Sequence, residues 1–387
     1  MKNKILINAV VNTILKVVKN LSKELHEPFL PKKEFKFINK TLNNKKFMIG
    51  PFVKKFEDKL KKLTKSKYVI TTNTGSSALH ISLKLIDVKN NDEILIPTLH
   101  YISSVNSTIY CGATPHFVDI EKSSLGVDCL KLDNYLKKIS IIKKNKCINK
   151  RTGKIIKAII ILHTFGHSAD IQNILKLCKK YKLILIEDAA EAIGSFYKNR
   201  HLGTFGKIGI LSFNGNKTIS TAGGGAILTG DKTLAKKARY LISNSKTPHI
   251  WKYSYNQIGY NYRMPNLNAA VGFLQLKYLK KILIEKRKLF KKYKKHFSKF
   301  SFIEIMDQPK FSKSNFWLQT LILNEKKRNI RDLILKKSYE KKIMLRPAWE
   351  LLHTLNHLKK FPKMNLDNAI KIHKRIINLP SSSYKIR

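Results

Sequence analysis

The chain has 387 residues, 43% of them hydrophobic, which is enough apolar material for a large packed core in two or three domains and excludes global disorder. Lys and Arg number 76 against 25 Asp and Glu, a net charge of +51, yet the excess is spread along the whole chain among many Asn and Ile rather than gathered into one tail or arm. That spread favours a compositional bias with solvated lysine faces over a dedicated polyanion site. Four cysteines without CxxC spacing or partner histidines exclude a disulfide scaffold and a zinc site, so no metal and reduced cytoplasmic thiols are expected.

The first 25 residues begin basic and turn apolar, but Asn8, Asn12, Lys16 and Lys19 interrupt the apolar run at helical intervals. This is the pattern of an amphipathic helix, Ile5 to Leu21, packed on the body of the protein rather than of a signal peptide. No stretch reaches the roughly 18 consecutive apolar residues of a membrane span. A Pro-interrupted linker, HEPFLPKKEF, follows. Phe52, Phe56, Leu60 and Leu63 then form one apolar face of a helix over 52–65.

Tyr68 to Thr71 reads as a short strand, and the polar turn after it leads directly into a helix with Ala78, Leu79, Leu83 and Ile86 on its apolar stripe. Gly75, Ser76 and Ser77 therefore sit at a helix N-terminus, where free amides favour a phosphate. Taken alone, this is ordinary capping. Strand Glu93 to Ile96, helix Ile102 to Tyr110 and strand His116 to Val118 make a parallel crossover unit. The pattern repeats with strand Ile155 to Leu162, helix Ile171 to Tyr181 and strand Leu183 to Ile186, with an exposed loop or hairpin at 143–154.

Short apolar strands alternating with helices predict an α/β domain with a mostly parallel sheet covered by helices. Ligands on such sheets gather beyond the C-terminal ends of strands. Asp119, His163 and Asp188 lie there. Strand Ala226 to Thr229 and a helix from about Asp231 come next, then an aromatic, proline-containing loop over 245–265. The helical run Asn266 to His296 leads into a smaller C-terminal α/β domain. In that domain the pattern places strands near Phe316 to Ile322 and Ile343 to Leu345, and helices near Ile330 to Lys336 and Leu366 to Ile376. The expected division is an N-terminal helix 1–25, a large domain 26–265, and a linking helix with the small domain over 266–387.

Between Lys182 and Leu228 a buried-strand pattern ends on Glu187 and Asp188, and a lysine, Lys217, precedes a run of three glycines. A carboxylate at a strand tip and a lysine on a Gly-rich loop are the two groups that pyridoxal-phosphate chemistry needs. SFNGNKT lacks the glycines of a Walker loop, and Gly203, Gly206 and Gly209 lack Rossmann spacing.

The runs IEDAAEAIGSFY, LGTFGKIGILSFNGNK, TAGGGAILTGD and GYNYRMPNLNAAVGFLQL resemble the DegT-type sugar aminotransferases, pyridoxal-phosphate enzymes of fold type I, from about His26 to Pro380. SFNGNK, CINKRTGKIIKAIIILHTFGH, TPHIWKY and LRPAW further resemble the subgroup that aminates the 4-keto sugar nucleotide of the bacillosamine and legionaminic acid pathways. The resemblance implies that Lys217 anchors the cofactor covalently and shuttles protons, while Asp188 pairs with the pyridine nitrogen and Glu187 points away. It also implies that Tyr101 stacks on the ring, and that Ser76, the Ser77 amide and Ser212 hold the phosphate. Asn261 would reach the phosphate of a neighbouring subunit, making a homodimer part of the site.

Glu191 stands near the ring hydroxyl where the wider family often has Gln, and His100 stands where many relatives have Thr. His163 and Arg346 are candidate substrate contacts, with structural roles as the alternative for each. The implied reaction transfers an amino group from glutamate to C4 of UDP-4-keto-6-deoxy-N-acetylglucosamine. Other acceptors, 3-keto or dTDP-linked, remain open. So does a non-catalytic polyanion-binding role, although no nucleic-acid-binding signature supports it. Relatives with histidine in place of the lysine are dehydratases; Lys217 argues against that reaction here.

Overall fold

The computed structural model describes residues 2–31, 34–43 and 45–382; positions 32–33 of the expected linker and 383–387 of the expected C-terminal domain lie outside the described residues. Helix α1 (Lys2–Val18) is followed by α2 (Phe35–Asn43) and α3 (Phe52–Thr64). Strand β1 (Tyr68–Thr72) runs into α4 (Gly75–Leu85), and then come β2 (Glu93–Pro97), α5 (Ser103–Tyr110) and β3 (Thr114–Val118). Helix α6 (Cys129–Ile139) and the hairpin β4 (Ser140–Lys143) and β5 (Lys146–Asn149) precede β6 (Ile156–Leu162), α7 (Ile171–Tyr181) and β7 (Ile184–Asp188). Short β8 (Phe196–Tyr197) and β9 (Arg200–His201) lead to β10 (Ile208–Ser212), β11 (Gly225–Thr229) and α8 (Lys232–Leu241). The long α9 (Asn266–Phe297) carries the chain to β12 (Ile303–Ile305), β13 (Ser312–Lys313), β14 (Gln319–Leu323), α10 (Arg331–Glu340), α11 (Asp367–His373) and β15 (Ile376–Leu379).

Strands such as β2, with all five residues buried, have apolar side chains on both faces, so they require helices above and below. They form a seven-stranded sheet in the order β1-β11-β10-β7-β6-β2-β3. Neighbours from β10 through β3 pair in parallel, and β11 alone runs against both of its neighbours. The C-terminal ends of β2, β6, β7 and β10 therefore share one edge, which is where the site forms.

A second core joins α1 to the C-terminal part of the chain: Val10, Val11 and Ile14 pack with Leu289, Tyr293, Leu321 and Ile334. Here β12, β14 and β15 form a three-stranded antiparallel sheet. These two cores, with α9 spanning both and α1 packed on the smaller one, support our proposal of a division near residue 265, while a third cluster, with Leu99 and Phe165 against Trp317, Ile322 and Ile376, joins the two parts. No helix among the described residues is long and apolar enough to cross a membrane.

Two local expectations are corrected. Ile343 and Leu345 are buried but form no strand, and the segment makes only a single bridge, Arg346 to Asn378. The third strand of the small sheet is instead β15, into which the expected helix at 366–376 overran; α11 stops at His373, and Ile376 and Ile377 pair with β14. Strand β10 was hidden because Gly209 interrupts its apolar run, at a point where a Cβ would overlap the carbonyl of Gly203. Helices α2 and α6 also had no counterpart in the sequence reading.

Candidate active site

At the shared strand edge lies a cavity of about 250 Å³ lined by Ser76, Tyr101, Asp188, Glu191, Ser212 and Lys217, together with Asn214, Asn216, Trp317 and Trp349. A larger groove of about 770 Å³ runs between α3 and α9, but its lining is aliphatic and cationic, with no carboxylate or hydroxyl nucleophile beyond Ser314. The smaller cavity is the chemical one.

Strand β7 delivers two carboxylates to opposite destinations, because successive side chains on a strand alternate faces. Glu187 is fully buried and accepts from the amides of Gly203 (2.9 Å), Phe205 (2.5 Å) and Gly206 (2.5 Å) and from His163 Nε2 (3.0 Å). Burial by itself raises its pKa, but the His163 contact and the backbone N–H donors outweigh burial and hold it below the ordinary carboxylate value. Asp188, 3% exposed, faces the cavity. Its Oδ1 accepts from the Ala190 amide at 3.0 Å, while Oδ2 has no hydrogen-bond donor among the described residues; His100 Nε2 stands 3.8 Å away. His100 donates through Nδ1 to the Tyr101 carbonyl at 3.0 Å, and burial lowers its pKa against the opposing charge of Asp188. A buried carboxylate with one free oxygen calls for a cationic N–H.

Lys217 follows β10 on the loop that turns back into β11. Its side chain is 14% exposed; Nζ lies 3.2 Å from Glu191 Oε1 and 3.9 Å above the ring of Trp317. The glycines after it have a steric cause: a Cβ on Gly225 would overlap Thr74 O, so only glycine lets β11 press against the start of α4. Glu191 Oε2 accepts from the amide of Phe165 at 2.8 Å, which a left-handed φ of 54° at Phe165 aims at it. Burial pushes the Glu191 carboxyl up to about 7; the Lys217 charge and the Phe165 N–H oppose the rise, and Asp188 adds to it.

This value gives a testable pH dependence. The folded pKa of Glu191 lies above the unfolded value of about 4.3, so the folded state holds an extra proton between the two, and the stability that proton confers is lost as pH rises towards 7. Glu191→Gln does not titrate. Urea unfolding should show its stability rising relative to wild type by at most about 1.4 kcal/mol per pH unit between about pH 5 and 7, then levelling off. A flat difference would remove the assignment.

The opposite end of the cavity is the N-terminus of α4. Thr74 is the N-cap, and its Oγ1 accepts from the Ser77 amide at 3.0 Å and contacts Ser77 Oγ at 2.8 Å. Ser77 is thus buried in the cap itself, where its amide donates to Thr74 Oγ1. Gly75, Ser76 and Ser212 line the cavity here. Tyr101, 52% exposed at the end of β2, sits edge-on to Trp349 with ring centroids 6.3 Å apart.

Other expected residues lie elsewhere. His163 is fully buried, with Nε2 donating to Glu187 and Nδ1 accepting from the Ala169 amide at 3.2 Å, so it supports the strand ends and has no free nitrogen for a substrate. Asp119 pairs with Lys131 and accepts from the Asn368 and Ala369 amides at the start of α11, a structural pin. Arg346 is exposed and outside the cavity wall; its guanidinium has no carboxylate partner among the described residues. Asn261 is exposed, with its carbonyl 3.5 Å from Asn73 Nδ2, and does not line its own chain's cavity. Sequence reasoning missed Trp317 and Trp349, which reach the cavity from the C-terminal part of the chain.

A fold of this topology, with a strand-tip carboxylate facing a loop lysine across a cavity capped by a helix start, defines a pyridoxal-phosphate enzyme of fold type I. The chain belongs to the DegT/DnrJ/EryC1/StrS aminotransferase family, matched over residues 29–384. It is 34% identical to GDP-perosamine synthase of Escherichia coli O157:H7 over 361 residues, 92% of each chain. The GDP-perosamine synthase of Caulobacter vibrioides is 32% identical over 310 residues, 79% of this chain and 78% of that one. PseC of Helicobacter pylori, an aminotransferase involved in the biosynthesis of pseudoaminic acid, superposes with a TM-score of 0.83 at 25% identity, covering 92% of this chain and 93% of that one. The protein is therefore an aminotransferase dependent on pyridoxal phosphate, and the non-catalytic polyanion-binding reading is set aside.

The donor set fits that cofactor. Asp188 Oδ2 is a free buried acceptor for a ring N–H, and the start of α4 with Ser76 and Ser212 offers amides and hydroxyls to a phosphate.

Proposed function

We propose that the protein transfers an amino group from glutamate to C4 of UDP-4-keto-6-deoxy-N-acetylglucosamine, with Lys217 and Asp188 as catalytic residues. The observation that supports the cofactor chemistry is the convergence of Asp188, Lys217, Ser76 and Ser212 on one cavity at the sheet edge, and the acceptor rests on the resemblance of runs such as SFNGNK, TPHIWKY and LRPAW. When bound, the cofactor supplies an electron sink for a carbanion next to the transferred nitrogen.

Each remaining role belongs to this chain. Lys217 anchors the cofactor and moves a proton between the amino-bearing carbon and the cofactor carbon. Asp188 keeps the ring nitrogen protonated, which requires a carboxylate held out of water. Glu191 holds a proton beside the ring hydroxyl and orients Lys217. Tyr101 covers one ring face, and Asn261 completes the phosphate site of a second copy, so the working unit is a homodimer. Free cysteines, of which Cys111, Cys147 and Cys178 are buried, support a cytoplasmic enzyme.

Arg346 stands three residues before Trp349 of the cavity wall, exposed and uncompensated, and a guanidinium suits the diphosphate of a nucleotide sugar. Arg346→Ala should raise KM for the sugar nucleotide about tenfold and leave KM for glutamate and kcat within about threefold. Unchanged KM would remove Arg346 from the substrate site.

The GDP-perosamine synthases among the relatives favour a second acceptor, a GDP-linked sugar. A panel of UDP-, GDP- and dTDP-linked keto sugars incubated with 15N-labelled glutamate separates the readings. Labelled 4-amino product from the UDP-N-acetyl sugar alone supports the proposal; amination of the GDP sugar in its place overturns the acceptor and leaves the transamination standing.

A further inference from the structure

The structure assigns to Trp317 the role of a positioning residue for Lys217: its indole face holds the lysine amine at the distance from which it acts. This rests on Lys217 being the lysine that anchors the cofactor. The amine lies 3.9 Å above the indole ring on one side and 3.2 Å from Glu191 Oε1 on the other, so two groups fix its place. An ammonium over an indole face is attracted by the ring quadrupole, most strongly where water is excluded, and Trp317 is only 4% exposed.

The indole is itself immobilised from three directions. Its Nε1–H donates to the Asn216 carbonyl at 2.8 Å, immediately before the lysine in the chain. Its amide donates to Asn315 Oδ1 at 2.8 Å, and Asn315 Nδ2 in turn donates to the carbonyls of Glu191 (2.8 Å) and Ile193 (2.9 Å). Its carbonyl accepts from Lys286 Nζ at 3.0 Å, and Lys286 also donates to the Ser381 carbonyl at 3.0 Å. Lys286 is fully buried with no carboxylate partner among the described residues, and burial lowers its amine to about 7. A long, fully buried lysine side chain is thus committed to holding one tryptophan backbone in register with the loops of Glu191 and Lys217.

The chemistry gives this arrangement a purpose. A lysine displaced by the amino donor must stay within reach to move a proton and later to bond the cofactor again, and an aromatic face restrains the amine without forming a bond that must be broken. Segments from the C-terminal part of the chain thereby set the position of a catalytic group carried by the large sheet.

The test compares Trp317→Phe and Trp317→Leu holoenzymes with wild type. In Trp317→Leu, kcat and the rate at which added pyridoxal phosphate becomes bonded to the lysine, followed by its visible band, should both fall about five- to thirtyfold, with KM values within about threefold. Trp317→Phe, which keeps a ring face, should recover most of both rates. Equal losses in the two variants, or wild-type rates in Trp317→Leu at an unchanged thermal midpoint, overturn the assignment. Where Trp317→Leu does not fold, Trp317→Met against Trp317→Phe provides the same comparison. A wild-type protein that forms no bond between Lys217 and the cofactor overturns the proposed function itself, a result separate from the order among the variants.

Discussion

Lys217→Ala should lower kcat by at least about 10⁴-fold, because in the proposed mechanism one side chain serves as both the covalent anchor and the proton carrier, and groups that act as a unit are lost together. Nothing beside it substitutes. Glu191, 3.2 Å away, is a titratable neighbour, but a carboxyl group cannot bond the cofactor aldehyde as an amine does. Lys217 is not part of the hydrophobic core, so the variant should fold with a thermal midpoint near that of wild type. Turnover with glutamate and a keto sugar nucleotide, measured beside circular dichroism, checks both statements. Residual activity within tenfold of wild type would remove Lys217 from the mechanism.

Asp188→Asn should lower kcat by about 10³-fold with little change in fold. The substitution keeps the shape of the side chain and the acceptor for the Ala190 amide. What it removes is the negative charge on the oxygen that no protein donor satisfies. In the proposed role, a neutral amide would no longer keep a proton on the ring nitrogen, and the bound cofactor would lose the positive charge that makes it an electron sink. The neighbour Glu187 offers no rescue: its carboxylate is committed to three amides and His163 on the other face of the strand. Cofactor affinity should fall about tenfold as well, the loss of one charge-assisted hydrogen bond. Equilibrium titration with pyridoxal phosphate and steady-state kinetics separate the two effects. A kcat within tenfold of wild type would reassign the ring-nitrogen partner.

The meeting of Asp188 and Lys217 at one cavity was legible because the place of each follows from local chain chemistry. A buried strand must end where its apolar run ends, so Glu187 and Asp188 fall at the sheet edge, and alternation sends one inward and one to the cavity. The glycines after Lys217 announce a close approach of backbones, which Gly225 and Thr74 make. The N-terminus of α4 was legible from the polar turn before its apolar stripe, but which amides stay free was not: capping by Thr74 takes the Ser77 amide.

His163 shows a different limit. A histidine just beyond a strand end reads as a site residue, and only tertiary packing reveals Glu187 and the Ala169 amide against its two nitrogens. Trp317 left no local signal, and Trp349 was only part of the run LRPAW, because the C-terminal segments that carry them meet the large sheet only in three dimensions. Arg346 was placed in the neighbourhood of the site through LRPAW, yet it is Trp349 of that run that lines the cavity.

The most direct measurement is to load the purified protein with pyridoxal phosphate, reduce it with borohydride, digest it and read the modified peptide by mass spectrometry. The expected result is a single pyridoxyl adduct on Lys217, with the visible band lost on reduction. An adduct on another lysine, or none, would contradict the account.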